Sequence, residues 1–139
     1  MQAKVKWTDG VQFVAESGSG HALVVDGSPE AGGRNTGPRP MELLLMGLGA
    51  CSSYDVVTIL KKSRQDIVDC QVSVEAERVD AIPAIFSKVH LHFMVTGKDL
   101  KPAQVERAVT LSAEKYCSAS IMLGNGGVKI THSHEVIEA

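Results

Sequence analysis

The chain has no surplus of charge: 14 Lys and Arg stand against 16 Asp and Glu, for a formal net charge of -2. No polyanion-binding surface is indicated, and no nucleic-acid partner is expected. An apolar fraction of 44% with 22% charged residues leaves no room for a disordered polymer. No apolar h-region opens the sequence, since Met1 to Gly10 alternates charged and apolar residues, and the longest apolar stretch is interrupted by Glu42, Gly47 and Gly49. A soluble, cytoplasmic protein with no membrane partner is the expectation. There is no internal repeat and no low-complexity segment. Cysteines are few, odd in number and widely spaced, at positions 51, 70 and 117, which fits a reducing compartment and not a disulfide scaffold. Any disulfide here would be catalytic before it was structural. At 139 residues the chain can bury one core, so residues 1–139 are read as one domain.

What is present is a clear alternation of patterns. Residues 3–8 and 11–16 alternate apolar and polar positions around Asp9-Gly10, a hairpin signal, and residues 21–25 supply a third strand. A Gly-, Pro- and Ser-rich stretch without periodicity then runs to Pro40 and reads as a loop. Residues 41–62 are helix-permissive and apolar on nearly every side, so this helix is expected to be buried centrally. Residues 70–78 and 89–95 alternate again as strands, joined by an irregular connection around residues 80–83. Residues 101–123 repeat apolar positions at helical spacing, with Pro102 in the first turn and Gly124 at the end, and residues 128–136 give a last strand. Strands, helix, strands, helix, strand argue an α+β sandwich and not an alternating parallel sheet.

Cys51 lies inside the apolar helix beside Gly47, Gly49 and Ala50. Glycine costs a helix about 1 kcal/mol per residue, so its repetition there needs a reason. Tight helix packing with Cys51 as a small buried hydrophobe is one reading, and a reactive thiol that another backbone approaches is the other. Cys117, one turn after Ala113 on its own helix, carries the same two readings. Cys70 starts a strand on its apolar side and reads as a core residue. His90 and His92, and likewise His132 and His134, form His-x-His pairs that could hold a metal only if their strands were adjacent. They read first as surface or interface histidines. Lys61, Lys62 and Arg64 suit a helix C-terminus, and Gly124, Gly126 and Gly127 follow a helix, so they form no phosphate loop. No cofactor and no metal are expected.

The run Pro40-Met41-Glu42-Leu43-Leu44-Leu45-Met46-Gly47-Leu48-Gly49-Ala50-Cys51 resembles a motif of the OsmC/Ohr family, Pro-Glu-x-Leu leading through small residues to Ala-Cys. Leu111-Ser112-Ala113-Glu114-Lys115-Tyr116-Cys117-Ser118 resembles its second cysteine motif, 66 residues on. Pro83, Phe86 and His90-Leu91-His92-Phe93 extend the similarity, which is strongest to the YhfA-like branch. The resemblance implies antiparallel sheets wrapped around long central helices in an intertwined homodimer, with active sites at the subunit interface. It also implies a thiol peroxidase. Cys51 would attack an organic hydroperoxide to give a sulfenic acid, Cys117 would resolve it as a disulfide, and a dithiol reductant, a lipoyl or thioredoxin-like protein, would complete the cycle. The apolar helix face around Leu44, Met46 and Leu48 would receive the alkyl tail. Where the family carries a glutamate ten positions before the first cysteine this chain has Met41, with Glu42 one place later and about 100° further round the helix. No arginine precedes Arg34. The charged partners of the thiolate are therefore expected from Glu42 with Arg39 or Arg34, and Arg39 with Glu42 is the assignment made. Asp55, one turn after Cys51, would disfavour a thiolate unless neutralised. A non-catalytic redox-sensing or small-molecule-binding protein on the same fold is the alternative.

Overall fold

The computed structural model describes residues 1–139 in two compact units, Met1–Leu44 and Leu45–Ala139. In the first unit β1 (Ala3–Asp9), β2 (Gln12–Ser17) and β3 (Ala22–Val25) form an antiparallel sheet in that order. The β1–β2 turn is where the Asp-Gly pair places it. Gly10 takes φ 53, a left-handed conformation open to glycine, and donates its N–H to Asp9 Oδ1 at 2.8 Å. Trp7 Nε1 closes the hairpin by donating to the Gly10 carbonyl at 2.9 Å.

The segment after β3, though free of periodicity, is held by one carboxylate. Asp26, only 1% exposed, accepts the N–H groups of Gly27 at 2.8 Å, Arg34 at 3.1 Å and Thr36 at 3.2 Å, and the Thr36 hydroxyl at 2.6 Å. Led by the Thr36 hydroxyl, these bonds outweigh the cost of burial and hold its pKa down at about 2. A single turn of 3-10 helix, Pro29–Ala31, sits inside this loop.

The boundary between the units falls within α1 (Pro40–Lys62). Its start is written locally: Pro40 is the first helical residue, and Glu42 Oε1 accepts the N–H of Arg39 at 2.8 Å, a carboxylate reaching back over the first turn. Lys61 and Lys62 close it, followed by Arg64 in a left-handed conformation (φ 57) that lets Gln65 donate back to Leu60 at 2.9 Å. Within the chain α1 buries one stripe, Leu48, Gly49, Ser52, Val56 and Leu60, at four-residue spacing after Gly49. The central burial expected of this helix is met within the single chain only along that stripe, and Leu44, Met46 and Tyr54 are exposed, at 49%, 58% and 74%. By length and composition α1 could cross a membrane. Its buried stripe, with Ser52 in the middle, is instead that of a core helix in a soluble fold.

In the second unit β4 (Asp66–Arg78) and β5 (Phe86–Lys98) pair antiparallel, and β6 (Lys129–Glu138) pairs with β5 in parallel. The family resemblance implied antiparallel sheets, and this edge departs from that. Two helices intervene between β5 and β6, a connection long enough to return the chain to the same end of the sheet. Alternate residues of β5, Val89, Leu91, Phe93 and Val95, are at most 1% exposed. Each contributes about 1.5–3 kcal/mol by leaving water. Gly49 brings α1 close to β4, since a Cβ there would stand 3.1 Å from Val74 Cγ2 and 3.3 Å from Val72 Cγ1.

The second helical stretch is divided. α2 (Pro102–Leu111) passes into a wider π-type turn over Ser112–Tyr116, Cys117 adopts extended backbone (φ -72, ψ 104), and α3 (Ser118–Asn125) follows. A continuous helix over residues 101–123 is thus corrected to two. The break is stabilised by serines: Ser120 Oγ donates to the Ala113 carbonyl at 3.2 Å, and the N–H of Cys117 donates to the Ser112 carbonyl at 2.8 Å.

Candidate redox site

Cys51 stands half-buried in α1, one turn before Asp55, so the two side chains share a helix face. Cys117 occupies the break between α2 and α3 and is fully buried. Both are free thiols. Cys51 Sγ, Cys117 Sγ and a carboxylate oxygen of Asp55 all lie within 4.8 Å of one another.

Hydroxyls and one amide organise this cluster. Ser52 Oγ donates to Cys117 Sγ at 3.2 Å, and the Ser120 N–H, at the start of α3, donates to the same sulfur at 3.4 Å. Cys117 therefore caps α3 with its sulfur. Burial pushes its thiol pKa up, the bonds from Ser52 and Ser120 pull against that, and the neighbouring Cys51 adds to the rise. Ser112 Oγ donates to the Ser52 carbonyl at 3.0 Å and lies 3.4 Å from Asp55 Oδ2. Asp55 also lines a cleft of about 560 Å³, shared with Tyr54, Thr58, Arg107, Leu111 and Tyr116.

Arg39 and Glu42 meet each other at the start of α1 through the backbone bond described above. The Arg39 guanidinium donates to Asn35 Oδ1 at 2.8 Å and to the Gly37 carbonyl at 3.0 Å, while Arg34 pairs with Asp9 at 3.0 Å. Leu44, Met46 and Leu48 do not form one apolar face, because Leu48 is fully buried in the core stripe while the other two are exposed. Cys70 is half-buried on β4, its pKa raised by burial and by Asp69.

The histidine pairs sit on adjacent strands yet cannot converge. In the β5–β6 register His90 is beside Thr131 and His92 beside Ser133, while His132 and His134 are beside Leu91 and Phe93. Side chains alternate along a strand, so the two pairs occupy opposite faces of the sheet. His90 and His92 instead share Ser133 Oγ, at 2.8 and 2.7 Å. Sequence reasoning missed Ser52, Ser112 and Ser120. The only signal was the spacing itself, a serine next to Cys51 and another three residues after Cys117.

A stripe-buried helix and a helix N-terminus that bring two reduced thiols together, in an α+β fold of two three-stranded sheets, define the class of protein. A model described as OsmC-like protein matches residues 32–133, and the chain belongs to the OsmC-like family. It is 52% identical over 139 residues to the protein YhfA of Escherichia coli strain K12, covering 100% of both chains. Among solved structures it is similar to a hypothetical protein from Aquifex aeolicus VF5, 28% identical with a TM-score of 0.86, covering 99% of this chain and 96% of that one. The fold is shared with an organic hydroperoxide resistance protein OsmC from Legionella pneumophila, 23% identical with a TM-score of 0.73, covering 96% and 95%.

Proposed function

We propose that this protein is a thiol peroxidase that reduces organic hydroperoxides through Cys51 and Cys117. The observation that carries this reading is the pairing of two free thiols within 4.8 Å, one half-buried and one fully buried. The more accessible Cys51 is the one a substrate can reach. Its thiolate attacks the terminal peroxide oxygen, the O–O bond breaks, and the organic half leaves as an alkoxide that takes up a proton to become the alcohol. Cys51 is left as a sulfenic acid, two electrons oxidised. Cys117 then attacks that sulfur, water departs with the thiol's proton, and a disulfide forms. A dithiol protein of lipoyl or thioredoxin type returns both sulfurs to thiols. Burial suits Cys117 to the second step, because a shielded thiol meets little besides the neighbouring sulfenic acid.

The role of the thiolate's charged partners, which the family gives to a glutamate and an arginine, is proposed for Glu42 and Arg39 on their place in the sequence just ahead of the Cys51 motif. Exposed Leu44, Met46 and Tyr54 support a homodimer that would cover them, and three free thiols support a cytoplasmic setting. The Asp55 carboxylate beside the thiols favours a second reading, a redox-sensing or small-molecule-binding protein in which Cys51 reacts slowly. One equivalent of cumene hydroperoxide added to reduced protein, followed by peptide mass spectrometry, separates the two. A Cys51–Cys117 cross-linked peptide, two hydrogens lighter than the reduced pair and formed within the mixing time of hand pipetting, supports the peroxidase. Thiols still reduced after minutes support the sensor or binding protein.

A further inference from the structure

Three donors of the kind that bind transition metals converge in the second unit: two sulfurs and one carboxylate oxygen, all within 4.8 Å of one another. We infer that reduced Cys51 and Cys117, with Asp55, form a three-ligand site for zinc. In a tetrahedral site with Zn–S of about 2.3 Å and Zn–O of about 2.1 Å, ligand atoms stand about 3.6–3.8 Å apart. The separations found here, none above 4.8 Å, reach that geometry by closing no more than about 1.2 Å, a shift within reach of side-chain torsions on helix positions 51 and 55 and at the cap position 117. Two thiolates select a borderline-soft ion such as Zn²⁺ over calcium or magnesium, which take all-oxygen shells.

The surroundings are those of a metal centre with its supporting shell. Ser52 Oγ and the Ser120 N–H both point at Cys117 Sγ, at 3.2 and 3.4 Å, and would hold a thiolate ligand in place. Ser112 Oγ, 3.4 Å from Asp55 Oδ2, orients the carboxylate. No second carboxylate or histidine joins the cluster, so a fourth coordination position is left for water or a small ligand, reached through the cleft that Asp55 lines. The zinc site accounts for an acidic residue beside two thiols: a carboxylate that opposes a free thiolate becomes a ligand once a divalent cation sits between them. It requires the thiol pair to be reduced but does not require that the pair reduce hydroperoxides.

The test is a competition titration of Zn²⁺ between a chromophoric chelator and reduced, metal-stripped protein under anaerobic conditions, repeated with Co²⁺ as a spectroscopic probe. The expected result is one zinc per chain, and for cobalt a thiolate charge-transfer band with the intense visible absorption of a tetrahedral site. Cys51→Ser and Asp55→Asn, checked for native near-ultraviolet circular dichroism, should each weaken binding by more than about tenfold, the least that loss of an outer-shell partner costs. The double variant His90→Ala/His92→Ala should leave it unchanged. Zinc held equally well by the Cys51 and Asp55 variants, zinc lost with the histidines, no zinc at one equivalent, or weak octahedral cobalt spectra would each overturn the inference. Because no hydroperoxide is present, a chain that turns over hydroperoxide yet holds no zinc loses this site alone. One that holds zinc yet does no turnover loses the peroxidase alone.

Discussion

Cys117 is where one residue's environment matters most. Its sulfur is both a helix cap and the acceptor of a buried hydroxyl from Ser52, which is itself only 2% exposed. Ser52→Ala removes that donor and should lower unfolding stability by about 0.5–1.5 kcal/mol, read from urea midpoints, while slowing closure of the disulfide after oxidation of Cys51. Unchanged stability and closure would mean that the hydroxyl points elsewhere. Asp26 gives a residue-scale test by pH. Its folded pKa of about 2 lies below the ordinary value of 3.8, so the ionised form is favoured by folding. The stability it supplies is complete above pH about 4 and is lost as pH falls through about 2. Asp26→Asn should therefore be less stable than the parent near neutrality, and the gap should narrow across that acid window. A gap that stays constant down to pH 2 would contradict the assignment. Nothing in the sequence pattern marked Asp26 apart from other loop acids, because the N–H groups it collects come from residues one, eight and ten positions on.

At the scale of elements, what the sequence made legible was local. The Asp9-Gly10 turn and the start of α1 at Pro40 each depend on neighbours in the chain, and both stand where the pattern puts them. The break at Cys117 was hidden because helical spacing continues through it, and only hydrogen bonds reaching across the turn reveal it. The parallel β5–β6 pairing was hidden too, since alternation reports which face a residue takes and not which way its strand runs. Two substitutions test the packing of α1. Gly49→Ala gains about 1 kcal/mol of helix propensity but pushes a methyl against Val72 and Val74, an overpacking cost of about 1–3 kcal/mol. A net loss of up to about 2 kcal/mol is expected from chemical denaturation, and a gain would show that β4 yields. Arg64→Gly removes the strain of a left-handed arginine, about 1–2 kcal/mol, and gives back part of it as chain entropy. A net gain of about 0.5–1 kcal/mol is expected, whereas a loss would mean that the Arg64 side chain anchors the helix end.

For the whole molecule, the apolar surface left on α1 is the feature that the isolated chain does not explain. Leu44 and Met46 are half exposed in a helix whose other side is core. If a second copy covers them, Leu44→Glu should move the protein from dimer to monomer at micromolar concentration in analytical ultracentrifugation. A parent protein that is monomeric throughout that range would remove the dimer from the account. The membership of the chain in the OsmC-like family was legible from its two cysteine motifs, and so was the nearness of Asp55 to Cys51 on one helix, whereas the nearness of Cys117 to that carboxylate emerged only with α1 and the Cys117 turn seen together. The central claim is that this pair reduces organic hydroperoxides. Its most direct test is steady-state consumption of cumene hydroperoxide with a dithiol donor by the parent, Cys51→Ser and Cys117→Ser in metal-free buffer. The account predicts catalysis by the parent, none above the free dithiol without Cys51, and progressive over-oxidation of Cys51 without Cys117. Consumption by the parent no faster than by the dithiol alone, or undiminished in Cys51→Ser, would contradict it.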